Sequence, residues 1–145
     1  MKRISRSAIV GHGAARVYAL VEDIESYPRF LPWCTRAEVL EKNGFVKARI
    51  TAGMRGLRQS FTTRNQNRPG EAIDMRLAEG PFKRFAAAWR FTPLGDNACK
   101  IEFSMEYEFS SRALALVLEP LFDRIADTMV DAFARRADAV YGAHG

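Results

Sequence analysis

The amino-acid sequence predicts an α+β fold: a curved antiparallel sheet, a long amphipathic helix laid across it from the C-terminal end, and two short helices near the start. Three observations carry this. Cys99, Ile101, Phe103, Met105, Tyr107 and Phe109 alternate with Lys100, Glu102, Ser104, Glu106 and Glu108, the period of two of a strand with one buried and one wet face. Leu114, Val117, Leu118, Leu121, Ile125, Met129, Ala132, Phe133 and Val140 instead recur at helical three- and four-residue steps. The breaks between apolar stretches in the middle of the chain are too short for parallel crossovers, which need about a dozen residues or more, so a meander is expected.

In chain order, a first strand runs from Arg3 to Val10. A short helix, Ala14 to Glu22, follows with Val17, Tyr18 and Val21 as its apolar stripe, and Ser26 to Phe30 adds a second turn of helix. Strands follow in which Val46, Ala48 and Ile50 oppose Lys47 and Arg49. Leu57 and Phe61 then oppose Arg58, Thr62 and Arg64, and Ile73, Met75 and Leu77 oppose Asp74 and Arg76. Hairpin breaks fall at Asn43-Gly44, Gly53 to Gly56, Arg68-Pro69-Gly70 and Gly80-Pro81. Arg84 to Thr92 points Phe85, Ala87, Trp89 and Phe91 inward, and the turn Pro93 to Asn97 leads to the strand described first. Ser110 or Ser111 caps the last helix, and Glu119, Asp123, Asp127, Asp131 and Arg135 hold its wet side. Pro120 removes a backbone donor and predicts a kink or break.

At 145 residues, 48% hydrophobic and 27% charged, the chain has the length and composition of one globular domain, residues 1–145. No apolar run approaches the ~20 residues that span a bilayer, and no apolar segment follows the basic start, so cytoplasmic residence is expected. Cys34 and Cys99 make no disulfide framework and are expected to be reduced and half-buried. The net charge of +5 is unevenly placed: Phe45 to Arg90 holds ten basic and three acidic residues, a net +7, and the remainder carries −2. So basic a segment attracts phosphates of RNA or of anionic lipid, or is simply a solvated sheet face.

Catalytic chemistry is thinly supplied. Only His12 and His144 are present, one in an expected loop and one beside the C-terminus, so neither a Ser-His-Asp set nor a metal site is expected. Gly11-His12-Gly13 matches the start of a dinucleotide fingerprint, but Arg16 stands where a small residue is needed and no βαβ unit follows. The acids Glu102, Glu106 and Glu108 alternate outward and form no buried acid–base pair. The expectation is a protein without catalytic residues or a required cofactor.

Several stretches stand out together: Tyr27-Pro28-Arg29-Phe30-Leu31-Pro32-Trp33-Cys34, Phe61-Thr62-Thr63-Arg64-Asn65, Gly80-Pro81-Phe82-Lys83, Trp89 to Leu94, and Met129 to Ala137. In these the chain resembles, over nearly its whole length, the coenzyme Q-binding protein family of START-like, polyketide cyclase-like domains. The bacterial branch of that family comprises the ribosome association toxins (RatA). The resemblance implies a helix-grip (START/Bet v 1-like) fold, with the sheet wrapped around the C-terminal helix and a hydrophobic tunnel between them. It implies ubiquinone binding in support of respiration without a known catalysed step, or binding to the large ribosomal subunit that blocks subunit joining. At the position of Trp33 some bacterial members have a smaller residue, and the Trp version is similar to the quinone-binding branch.

Pro28 and Pro32 stiffen the stretch that carries Phe30, Leu31 and Trp33, which reads as the rim of a pocket, with a core staple as the plainer reading. Phe61, Phe82, Phe85, Trp89, Phe103 and Met105 from the sheet, with Phe122, Met129 and Phe133 from the helix, are the remaining expected ligand contacts. The leading expectation is a carrier or chaperone of ubiquinone or a similar polyisoprenoid quinone, since each buried methylene adds about 0.8 kcal/mol. Peripheral contact with the inner membrane would go with that role. The alternative is a ribosome-association inhibitor in which Arg49, Arg58, Arg64, Lys83 and Arg84 meet rRNA phosphates; a cyclase-like enzyme is a third reading that lacks its acid–base pair.

Overall fold

A computed structural model describes residues 1–142. Its strands are β1 (Lys2–Val10), β2 (Cys34–Lys42), β3 (Val46–Met54), β4 (Leu57–Arg68), β5 (Ala72–Glu79), β6 (Phe82–Pro93) and β7 (Cys99–Phe109). Helix α1 (Ala14–Glu22) and a 3-10 helix (Ile24–Arg29) precede β2, and α2 (Arg112–Tyr141) closes the chain. The strands form one curved seven-stranded antiparallel sheet in the order β1-β7-β6-β5-β4-β3-β2. Six of its seven strands are a meander, and β1 joins the far edge by pairing with β7 from Lys2↔Tyr107 to Val10↔Cys99.

The alternation read from β6 and β7 holds: Phe85, Ala87, Trp89 and Phe91, and every second residue from Cys99 to Phe109, are buried on the inner face. Helix α2 lays Leu118, Leu121, Phe122, Ile125, Met129 and Phe133 on that face. Its first turn is capped by Ser111, whose hydroxyl accepts the Leu114 N–H at 3.2 Å. On the far side of α2 the expected wet acids partly pair with the edge strand. Lys2 bridges Glu119 and Asp123, and Arg6 meets Asp127 at 2.8 Å.

Five expectations are corrected. β2 was not foreseen: it is an edge strand interrupted between Cys34 and Arg36 and between Val39 and Glu41, which breaks the period of two. Thr62 is not wet but 2% exposed, at the shift where β4 and β5 change register between Thr62↔Glu79 and Thr63↔Leu77. Helix α2 runs unbroken through Pro120, because Leu118, Leu121 and Phe122 around it are all buried and hold the turn against the lost hydrogen bond. Val117 and Val140 face outward, off the stripe that meets the sheet. Cys34 and Cys99 are free, and fully rather than half buried. His144 lies outside the described residues.

Candidate functional site

Between α2 and the inner face of the sheet lies an aromatic-lined cavity of about 60 Å³. Its walls come from residues that strand pleating aims inward: Ile50 on β3, Phe61 on β4, Met75 on β5, Phe85 and Trp89 on β6, and Phe103 and Met105 on β7. Helix α2 adds Phe122, Ile125 and Met129, while Ile24, Tyr27 and Trp33 close one end. Two aromatic clusters border it. In one, Phe82 packs on Phe85 at 5.0 Å, Phe109 at 5.1 Å and Phe122 at 5.2 Å; in the other, Trp89 packs on Phe103 at 5.0 Å and Phe133 at 5.3 Å.

Eight of the expected contacts line this space: Trp33, Phe61, Phe85, Trp89, Phe103, Met105, Phe122 and Met129. The other five do not. Phe82 and Phe133 stand behind the wall, and Leu31 is 1% exposed in the core. Phe30 is half-buried, edge-on to Phe133 at 5.1 Å, with the Arg136 guanidinium 4.9 Å from its ring centre. Pro32 is exposed and borders a separate outer groove that Trp33 shares. Within the Tyr-Pro-rich stretch Tyr27 and Trp33 reach the cavity, while Phe30, Leu31 and Pro32 between them do not.

Residue types alone also missed the cavity's polar pair. Thr63 and Asn65 line it, and the Thr63 hydroxyl donates to Asn65 Oδ1 at 2.8 Å. Their signal was present, since they continue the inward phase of Phe61 on β4. Burial pushes the Cys34 thiol up to about 11, so it is neutral near pH 7 and no thiolate nucleophile. Burial likewise raises Tyr27 far above the usual phenol range, and its hydroxyl donates to the Val21 carbonyl. His12 is 6% exposed and bonded through Nε2 to Asp138 at 2.9 Å. It borders a different cleft, by Gly11, Gly13 and Tyr141, and ties the first loop to the end of α2.

The five expected surface cations separate into groups. Lys83 lies 3.8 Å from Glu108, and Arg84 is opposite the same acid. Arg49 is opposite Glu38. Arg58 borders the outer groove beside Trp33. Arg64, in contrast, sits between Lys47 on β3 and Arg76 on β5, both directly opposite it. Lys47, Arg64 and Arg76 therefore form a row across three strands, and none has an ion-pair partner among the described residues. Glu41 on β2 ends the row at one side and Ala86 on β6 at the other. Arg64 also lies 4.0 Å over the Phe45 ring. Sequence reasoning placed all three outward but counted only Arg64 among the phosphate contacts, because their alignment depends on register.

The family model for polyketide cyclase / dehydrase and lipid transport matches residues 10–134. The ribosome association toxin RatA of Escherichia coli is 42% identical over 144 residues, covering 99% of this chain and 91% of that protein. A mitochondrial coenzyme Q-binding protein, COQ10 homolog B of Xenopus laevis, is 28% identical, covering 97% of this chain and 61% of that one. The crystal structure of the Zhui aromatase/cyclase from a Streptomyces species superposes with a TM-score of 0.87 at 18% identity, covering 99% and 98% of the two chains. At that identity the likeness is one of fold, and it agrees with the curved sheet and long helix seen here. With a matching model over most of its length, the chain belongs to the polyketide cyclase / dehydrase and lipid transport family.

Proposed function

We propose that this chain associates with ribosomes, docking on the RNA phosphates of the large subunit through the outer face of β3, β4 and β5. The observation that carries the reading is the row Lys47, Arg64 and Arg76. Like charges directly opposite one another destabilise a sheet, so the fold gains nothing from such a row. A polyanion would convert that repulsion into binding through counterion release. The relatives named as ribosome association toxins, at 42% identity over almost the whole chain, support it. The test is co-sedimentation with large ribosomal subunits over a series of salt concentrations. Affinity should fall steeply with salt, and the combined Lys47→Glu, Arg64→Glu, Arg76→Glu variant should lose on the order of 100-fold while melting as the wild type does. Unchanged binding by that variant would remove the reading.

The cavity carries a second reading, a non-catalytic carrier of a polyisoprenoid quinone, supported by the relative named as a coenzyme Q-binding protein. At about 60 Å³ the space is far below the roughly 300–1,000 Å³ of ordinary ligand pockets. Entry of a prenyl tail therefore requires side chains to move, and Met75, Met105 and Met129 in the wall are the adaptable ones. Among the described residues no carboxylate or imidazole lines the cavity, and its lining suits binding of an apolar chain. In this role the cation row would hold the cytoplasmic protein at anionic inner-membrane lipid. Ubiquinone should quench Trp33 fluorescence in a Trp89→Phe background and co-purify with the protein, as mass spectrometry of extracted lipid would show. Absence of both signals would remove the quinone.

A further inference from the structure

The cavity wall at Trp33 has an outer side. There a groove of about 520 Å³ is bordered by Trp33, Arg55, Arg58 and Arg124. Trp33 is 2% exposed and lines both spaces, so one indole separates the apolar cavity from the surface groove. Its Nε1 is buried and has no hydrogen-bond partner. Buried tryptophan N–H groups usually find an acceptor, and an orphan needs a physical reason.

The three arginines come from two elements. Arg55 forms the two-residue β3–β4 turn with Gly56, between the paired Met54 and Leu57. Its φ is 52°, a left-handed conformation that glycine, asparagine or aspartate adopts more readily. Arg58 follows on β4, and Arg124 projects from the turn of α2 that also places Phe122 and Ile125 on the cavity. None of the three arginines has an ion-pair partner among the described residues. Three arginines bordering one concave surface, with a tryptophan whose N–H is unpaired in its wall, give the groove a surplus of positive charge and of donors. An oxyanion completes such a set, and a neutral head group leaves its charge unanswered.

We infer that this groove is the head-group site of an acidic amphiphile, a carboxylate or phosphate on a flexible apolar tail, whose tail passes Trp33 into the cavity. The inference rests on the second reading above, that the cavity admits an apolar chain. It adds a preference for anionic over neutral ligands, set by Arg55, Arg58 and Arg124 at the mouth.

The test is titration calorimetry on the full-length chain with four probes sharing either tail or anion: oleate, oleoyl lysophosphatidate, oleyl alcohol and inorganic phosphate. Either acid should bind on the order of 30- to 100-fold tighter than the alcohol, and the tighter of the two identifies a carboxylate or a phosphate as the matching head. Arg58→Gln combined with Arg124→Gln should abolish that gap, with the fold checked by circular dichroism. Trp33→Phe, which keeps a ring and removes the N–H, should narrow it by about tenfold. Equal binding of acid and alcohol would sink the head-group site and leave the apolar-chain reading standing. Binding of neither would end both. Inorganic phosphate binding as tightly as the acids would show a free-anion site without a tail. Loss of ribosome sedimentation in the double arginine variant, with amphiphile affinity unchanged, would assign the groove to RNA instead.

Discussion

On the inner face of the sheet Trp89 has Phe103 and Phe133 within 5.3 Å. On the outer face two strands away Arg64 stands between Lys47 and Arg76, with Glu41 opposite Lys47 at the end of the row and no ion pair to any of the three among the described residues. The two regions belong to one sheet and obey different constraints. Inward side chains must satisfy packing, and their rings interlock at the edge-to-face spacings that aromatic pairs prefer. Outward side chains are free of that demand, so repulsion left unrelieved there is not a by-product of folding. The contrast is what the proposed docking on a polyanion rests on: the outer face of β3, β4 and β5 carries a positive row that packing does not require.

The largest effect that tests this contrast is on the inner face. Phe133 is fully buried among Tyr27, Phe30 and Trp89, and Phe133→Ala should lower stability by about 3–5 kcal/mol in urea unfolding. A loss below about 1 kcal/mol would mean that the inner face is loose enough to refill, and the contrast would fail. Ser111→Ala should cost about 1 kcal/mol by removing the acceptor for the Leu114 N–H. That value would show how far α2, which closes the inner face, depends on its cap as well as on its packing. The smallest effect is expected outside. Arg76→Gln should raise stability by no more than about 0.5 kcal/mol as the row loses a charge. The same change should lessen the salt slope of ribosome binding by about one. Destabilisation of the Arg76→Gln protein by more than about 1 kcal/mol would make the row part of the structure and not a surface held for a partner.

Much of the fold was legible because its signals are local. β6, β7 and α1 follow from side-chain periods within one element, and α1 begins and ends at the residues that its apolar stripe implied. β2 was illegible because its irregularities displace the alternation and its edge position leaves most of it unburied. Pro120 was overestimated, since a local penalty of about 3 kcal/mol was weighed without the burial of Leu118, Leu121 and Phe122 that opposes it. For the site, the inward aromatic residues were found by phase. Thr63 and Asn65 had the same phase but not the expected chemistry.

What the sequence determined by itself is the sheet-and-helix architecture, the apolar composition of the inner face and the concentration of positive charge in the middle of the chain. These are properties of period and composition, which each segment carries without reference to any other. Tertiary structure alone decided how large the cavity is, that Trp33 reaches it while Phe30 and Pro32 do not, and that Arg55 and Arg58 share a groove with Arg124. It also decided that Lys47, Arg64 and Arg76 stand in a row. Each of these depends on strand register or on the seating of α2, set by the free energy of the whole packed core, and a shift of one residue along β4 would turn Arg64 inward and Asn65 out to solvent.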